Sequence, residues 1–134
     1  MIVVDSNLIG YFFIEGEHSP LSIKVFEKDP DWIAPLLWQS EVRSIVTQHF
    51  RYKSMPLIRA KEIINEAHDL MLEHERFVSS GAVLDLVATS ACTSYDCEYV
   101  ALAKEMNLSL VTFDKEVVRE FPYLAIFPQD FLKM

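Results

Sequence analysis

The stretch Ser94–Asp114, SYDCEYVALAKEMNLSLVTFD, constrains this chain more than any other part of it. It reads as a helix opening at Asp96, a short turn at Met106-Asn107, and an apolar strand Leu108–Phe113 closed by Asp114. A helix that packs antiparallel on the strand it leads into begins beside that strand's C-terminal end. Asp96 and Asp114 are therefore folded toward each other. Two carboxylates at one sheet edge are costly unless a cation sits between them. The rest of the chain can be read for whether it aims more acid at the same point.

At 134 residues, the chain is expected to form a single domain over residues 1–134, large enough to bury a core. About half of its residues are apolar (51%), but no run approaches the length of a membrane span. The sequence enters a strand-like run, Ile2-Val3-Val4, with no basic leader segment, so a cytoplasmic protein without a membrane partner is expected.

Asp5-Ser6-Asn7 ends that first run with helix-capping chemistry. Leu8, Ile9, Phe12 and Phe13 then recur at helical spacing as far as Gly16. Ser19-Pro20 opens a second helix, and Trp32-Ile33-Ala34 is a brief strand stopped by Pro35. A third helix starts near Leu37, with Val42, Ile45, Val46, His49 and Phe50 as its inner face and Glu41 off that stripe. Pro56 opens a fourth helix, Phe77-Val78 is a candidate strand, and Ala82–Cys92 is a largely apolar helix. After Asp114 come a charged turn, a short helix, a last strand Leu124–Phe127 and a tail from Pro128. Apolar strands without a polar face, alternating with helices, predict an α/β fold: a three-layer α/β/α sandwich around a mostly parallel sheet.

In such a fold, chemistry gathers beyond the C-terminal ends of the strands. Asp5 directly follows the first strand, and Asp114 the strand of the Ser94–Asp114 unit. Glu41 lies in the early turns of the helix after the second strand, and Asp96 starts a helix leading back down the sheet. Four carboxylates from four segments thus share one rim. Singly, each has an ordinary explanation: Asp5 and Asp96 as helix caps, Asp114 as a turn residue, Glu41 as a solvated helix position. Jointly, uncompensated like charges favour a bound cation. All-oxygen ligands imply a hard ion, Mg²⁺ or Mn²⁺, and such a site suits phosphoryl chemistry.

The other composition signals narrow the alternatives. Cys92 and Cys97 are the only cysteines, too few for a structural zinc site, and read as buried thiols. His68 and His74 are six apart and do not stack on one helix face, which disfavours a zinc hydrolase. A passive nucleic-acid binder is normally basic, so with a net charge of −8 any nucleic-acid role must lean on bound metal, a local basic patch or a partner, and the plain alternative is that the acid only keeps the surface soluble. A phosphoacceptor receiver domain would want paired acids after the first strand, where Asp5-Ser6-Asn7 has one. It would also want a lysine after a late strand, where Pro128 follows.

V-V-D-S-N at the start, W-x-x-E opening the third helix, S-x-Y-D-x-x-Y-V-A-L-A and L-V-T-x-D together resemble the PIN-domain ribonucleases, with the VapC-type toxins of toxin–antitoxin pairs as the nearest subgroup. The resemblance runs from Ile2 to about Phe127. It implies a PIN-like domain with metal-binding acid at Asp5, Glu41, Asp96 and Asp114. Supporting roles are implied for Ser6, Asn7 and Thr112, together with Mg²⁺- or Mn²⁺-dependent cleavage of RNA that leaves a 5′-phosphate. A cognate antitoxin and a homodimer are also implied. A non-catalytic PIN module that binds a protein or RNA is the alternative. Strand alternation puts Thr112 on the side of Asp114. Arg43, Arg51 and Lys53 are candidate phosphate contacts, and Glu98 a candidate fifth acid or dipole partner. Tyr11, Phe12, Phe13 and Trp38 read as core or dimer contacts, and Asp85 interrupts an apolar helix without an evident partner.

Overall fold

The strands are short, all but the charged third one are apolar, and each is followed within a few residues by a helix, a pattern that favours parallel pairing through crossovers. A computed structural model describes residues 1–134. The order is β1 (Ile2–Val4), α1 (Ser6–Phe13), α2 (Ser19–Lys28), β2 (Trp32–Pro35), α3 (Trp38–Tyr52), α4 (Leu57–Met71) and β3 (Glu75–Arg76). It continues with α5 (Ser80–Ala88), α6 (Ser94–Met106), β4 (Leu110–Val111), α7 (Lys115–Glu120), β5 (Ala125–Ile126) and α8 (Pro128–Phe131). The sheet runs β3-β2-β1-β4-β5, and every pairing in it is parallel. Right-handed crossovers place α1–α4 against one face and α5–α6 against the other, giving the expected α/β/α sandwich.

One core of 32 buried apolar residues fills the layers. Two helices show how sequence sets the layering. α6 is wedged between the sheet and α5. It accordingly buries Cys97 and the whole run Tyr99–Ala103, with alanines where it must approach closely. α1 meets α3 closely at Gly10, where a Cβ would lie 3.1 Å from the Ile45 Cδ1 atom. The turn after α6 depends on Asn107, which takes the left-handed conformation (φ 54°) that an asparagine tolerates better than most residues.

Several boundaries differ from the sequence reading. The third strand is Glu75–Arg76, not Phe77-Val78, because the ladder is set by His74 O accepting from the Ala34 amide (3.2 Å). Phe77 is instead 88% exposed. The helix expected over Ala82–Cys92 is α5, which ends at Ala88 where Thr89 and Ser90 hydroxyls take back helix carbonyls. Asp85 faces solvent on it, which explains an acid in an apolar segment. The two late strands are shorter than their apolar runs. The segment from Pro128 forms α8 rather than a tail, with Pro128 at its first position. Phe50 is 42% exposed, so the inner stripe of α3 ends at Val46. No helix is long and apolar enough to cross a membrane.

Candidate active site

The register of β1 against β4 pairs Val3 with Leu110 and Val4 with Val111, so the next residues out, Asp5 and Thr112, emerge side by side. The chain order reverses between these two strands, which is where an open α/β sheet leaves a crevice. Thr112 is fully buried and its hydroxyl is the hub of the crevice. It donates to Asp5 Oδ2 (2.6 Å) and accepts from the Asp114 amide (3.0 Å). Asn7 spans the same gap: its Oδ1 accepts from the Phe113 amide (3.3 Å), and its Nδ2 lies 3.5 Å from both Asp5 Oδ2 and Thr112 Oγ1. Asp5 Oδ1 takes the Ser6 amide (2.8 Å) and, at 3.4 Å, the Ser6 hydroxyl. Ser6, Asn7 and Thr112 thus all grip the Asp5 carboxylate.

That carboxylate is only 7% exposed. Burial pushes its pKa up to about 7, the Thr112 hydroxyl pulls it partly back, and the charges of Glu41 and Asp96 add to the rise. No Lys, Arg or His forms an ion pair with Asp5, Glu41, Asp96 or Asp114; the ion pairs of the molecule lie elsewhere.

Glu41 reaches the rim from the first turns of α3. Its Oε1 accepts from the Tyr99 hydroxyl (2.6 Å). Burial, with the Asp5 and Glu41 charges, holds the Tyr99 phenol above its usual range, so it remains a donor. The start of α3 is fixed by Glu75 of β3, whose Oε1 accepts from Trp38 Nε1 (3.0 Å) and Gln39 Nε2 (2.7 Å). Asp96 and Asp114 are held by their own helices. Asp96 is the third residue of α6 rather than its start, and completes a capping box with Thr93. Asp114 caps α7, accepting from the Glu116 (2.9 Å) and Val117 (3.3 Å) amides.

The crevice therefore brings Asp5, Glu41 and Asp96 into mutual electrostatic contact and joins Asp114 to Asp5 through Thr112. No three acid, histidine or cysteine side chains converge closely enough to hold a metal ion in this conformation. Three of the four acids are turned onto backbone amides at helix starts, which matches the ordinary capping reading of Asp5 and Asp96 and makes Asp114 a cap as well. The donor set nevertheless fits a hard divalent cation: all oxygen, partly buried, and without a cationic side chain in partnership. Comparison with protein-family models matches residues 2–121 to the PIN domain.

The chain belongs to the PIN domain family. PIN domains are in general nucleases, and they generally use divalent metals. No curated protein matches the chain closely enough to count as a relative.

Tyr99 carried no role in the sequence reading, and Glu98 was expected as a fifth acid or a helix-dipole partner. Tyr99 holds Glu41, and the available signal was its spacing of three from Asp96, which puts both on one side of α6. Glu98 is drawn in as well, since burial and the Glu41 charge hold its carboxyl above the usual range. Arg51 and Lys53 are not brought to the rim. They sit exposed at the far end of α3, about 15 Å along its axis from Glu41. Cys92 and Cys97 are free and buried, and burial pushes Cys92 up to about 12, leaving it protonated.

Thr112→Val tests the hub. The change keeps the shape but removes the donor to Asp5 and leaves the Asp114 amide without its acceptor. Stability should fall by about 1–3 kcal/mol in urea unfolding, whereas Thr112→Ser should recover most of it. A loss in Thr112→Ser with none in Thr112→Val would assign the effect to the methyl group instead.

Proposed function

We propose that this PIN domain, spanning residues 1–134, is a Mg²⁺- or Mn²⁺-dependent endoribonuclease of the VapC type, acting in the cytoplasm as the toxin of a toxin–antitoxin pair. One observation carries the reading. Asp5 is a buried carboxylate at the crevice between β1 and β4, coupled to Glu41 and Asp96, and no cationic side chain offsets it. A protein gains nothing in stability from such an arrangement, so its partner is expected to come from outside the chain.

In this reading Asp5, Asp96 and Asp114 are the principal metal ligands, and Glu41 completes the shell or positions the water. A bound divalent cation supplies a water of lowered pKa and charge stabilisation for an in-line displacement at phosphorus. The chain's own contribution is orientation. Thr112 and Ser6 fix the two oxygens of Asp5, Tyr99 fixes one oxygen of Glu41, and Asn7 ties the start of α1 to the end of β4. An antitoxin would cover the rim, with an arginine set against the acids, and the enzyme would act as a homodimer.

The test is a Mg²⁺ and Mn²⁺ titration of cleavage on a mixed RNA pool, with Asp96→Asn alongside and calorimetry of metal binding to both. Metal-dependent cutting that Asp96→Asn abolishes is the expected result. Absence of both cutting and metal binding would reject the nuclease in favour of a non-catalytic PIN module.

A further inference from the structure

A cleft of about 370 Å³ opens directly off the acid rim between the first turns of α3 and the start of α6. Its composition is unlike a packing defect. Leu37 and Ile45 give it an apolar part, Ser6, Ser40 and Ser44 line it with hydroxyls, and Glu41 contributes a carboxylate. Tyr95 forms the remaining wall. It immediately precedes Asp96, yet the residue is 59% exposed. At the outer end, Arg43 Nη2 donates to Ser40 Oγ (3.2 Å), which places one guanidinium beside the mouth.

We infer that this cleft is a nucleobase subsite, in which an unpaired base of single-stranded RNA stacks on Tyr95 next to the phosphodiester held at the acids. The inference rests on the nuclease reading for the identity of the ligand, and it adds the part of the RNA that is gripped and the residue that grips it. Three features of the cleft point to a base. An exposed aromatic ring with two aliphatic side chains in the same lining suits a flat ring, because stacking contributes to binding whatever the base. Hydroxyls both donate and accept, so they can meet the edges of any base or a 2′-hydroxyl. Glu41 and Ser6 belong both to the cleft and to the rim, so a base seated here lies next to the acids. A duplex keeps its bases stacked on one another and cannot offer one to a side cleft without unpairing it.

The subsite also addresses the charge of the chain. With a net charge of −8, the protein has little electrostatic grip on phosphate, and no Lys, Arg or His lines this cleft, Arg43 standing beside it through Ser40. Stacking and neutral hydrogen bonds do not depend on counterion release. The salt dependence of single-strand binding should therefore be shallow, with a log–log slope of about −1 or less, the value for one or two phosphate contacts.

The experiment measures binding by fluorescence anisotropy in Mg²⁺, using the full chain carrying Asp96→Asn to hold RNA uncut. The probes are a labelled twelve-nucleotide single-stranded RNA of mixed sequence and the same strand in a duplex. Tyr95→Ala should weaken single-strand binding roughly ten-fold. Tyr95→Phe and Tyr95→Trp should bind like the parent, and the duplex should bind more weakly than the single strand. The subsite is overturned if Tyr95→Ala binds like the parent, if Tyr95→Phe loses as much as Tyr95→Ala, if the duplex binds as well, or if no RNA binds at all. Failure of the nuclease reading looks different: binding that depends on Tyr95 in a wild-type chain that never cuts the bound strand. Cutting by a chain whose binding ignores Tyr95 would remove the subsite and leave the nuclease.

Discussion

Asp5→Asn is expected to lower RNA cleavage more than about a hundred-fold and, in the same protein without metal, to raise folding stability at neutral pH. The two effects have one cause. Asp5 is buried in the crevice between β1 and β4 with the charges of Glu41 and Asp96 acting on it, and burial above all holds its pKa at about 7 against an ordinary value of 3.8. In the unfolded chain, the group is ionised at pH 7 without penalty. In the folded, metal-free chain, ionising it costs up to about 4 kcal/mol. An amide removes that cost but accepts more weakly from Ser6 and requires the Thr112 hydroxyl to find a new partner, so a net gain of about 1–3 kcal/mol is expected.

The sign can be followed through pH. Between about 4 and 7 the folded state keeps a proton on Asp5 that the unfolded state has lost. Metal-free stability from this group therefore falls as pH rises through that window, and levels above the folded pKa. Asp5→Asn should lack this contribution. Urea midpoints in EDTA from pH 5 to 8 measure it directly, and the wild-type and variant curves should separate as pH rises. Metal affinity should change in the opposite direction, rising toward pH 7 as the competing proton leaves. If Asp5→Asn instead destabilises the metal-free protein at pH 7, then capping α1 is the main work of Asp5, and the case for a cation site weakens accordingly.

How much of this was legible in the chain depends on the range of the interaction. Asp5 and Asp114 each follow an apolar run directly, so their place at the sheet edge follows from local pattern and the direction of the strands. The side of β4 on which Thr112 lies was equally local. Its hydroxyl bond to Asp5, 107 residues away, required the register of β1 against β4, which a pattern of two- and three-residue strands does not encode. Tyr99 was less accessible still. Its spacing from Asp96 marks a shared side of α6 but no partner, because its role depends on Glu41, 58 residues earlier and on another helix. The capping chemistry cut both ways. The features that placed Asp5, Asp96 and Asp114 at the rim, namely helix starts after a strand for Asp5 and Asp114 and before one for Asp96, also gave their oxygens backbone partners. Sequence could locate these acids without saying where their oxygens point.

β3 was misplaced by two residues for a related reason, and the residue that was overlooked there supports the second large prediction. Trp38→Ala should lower stability by about 3–5 kcal/mol, the usual cost of emptying a fully buried aromatic site. Trp38→Phe should cost only about 1–2 kcal/mol. The indole packs edge-on to His68 of α4 (5.6 Å between centroids) and donates to Glu75 of β3, so it joins the first turn of α3 to two other elements. Glu41 lies three residues further along the same helix. A phenyl ring keeps most of the packing and loses the bond to Glu75, so Trp38→Phe reports on positioning with the core largely intact. If the Trp38–Glu75 bond aims Glu41, then Trp38→Phe and Glu75→Ala should each reduce cleavage several-fold, and the double variant should lose no more than the worse single one. Independent, multiplying losses would mean that Trp38 acts through the core and Glu75 through something else. In that case the aim of Glu41 would rest on its bond to Tyr99 alone.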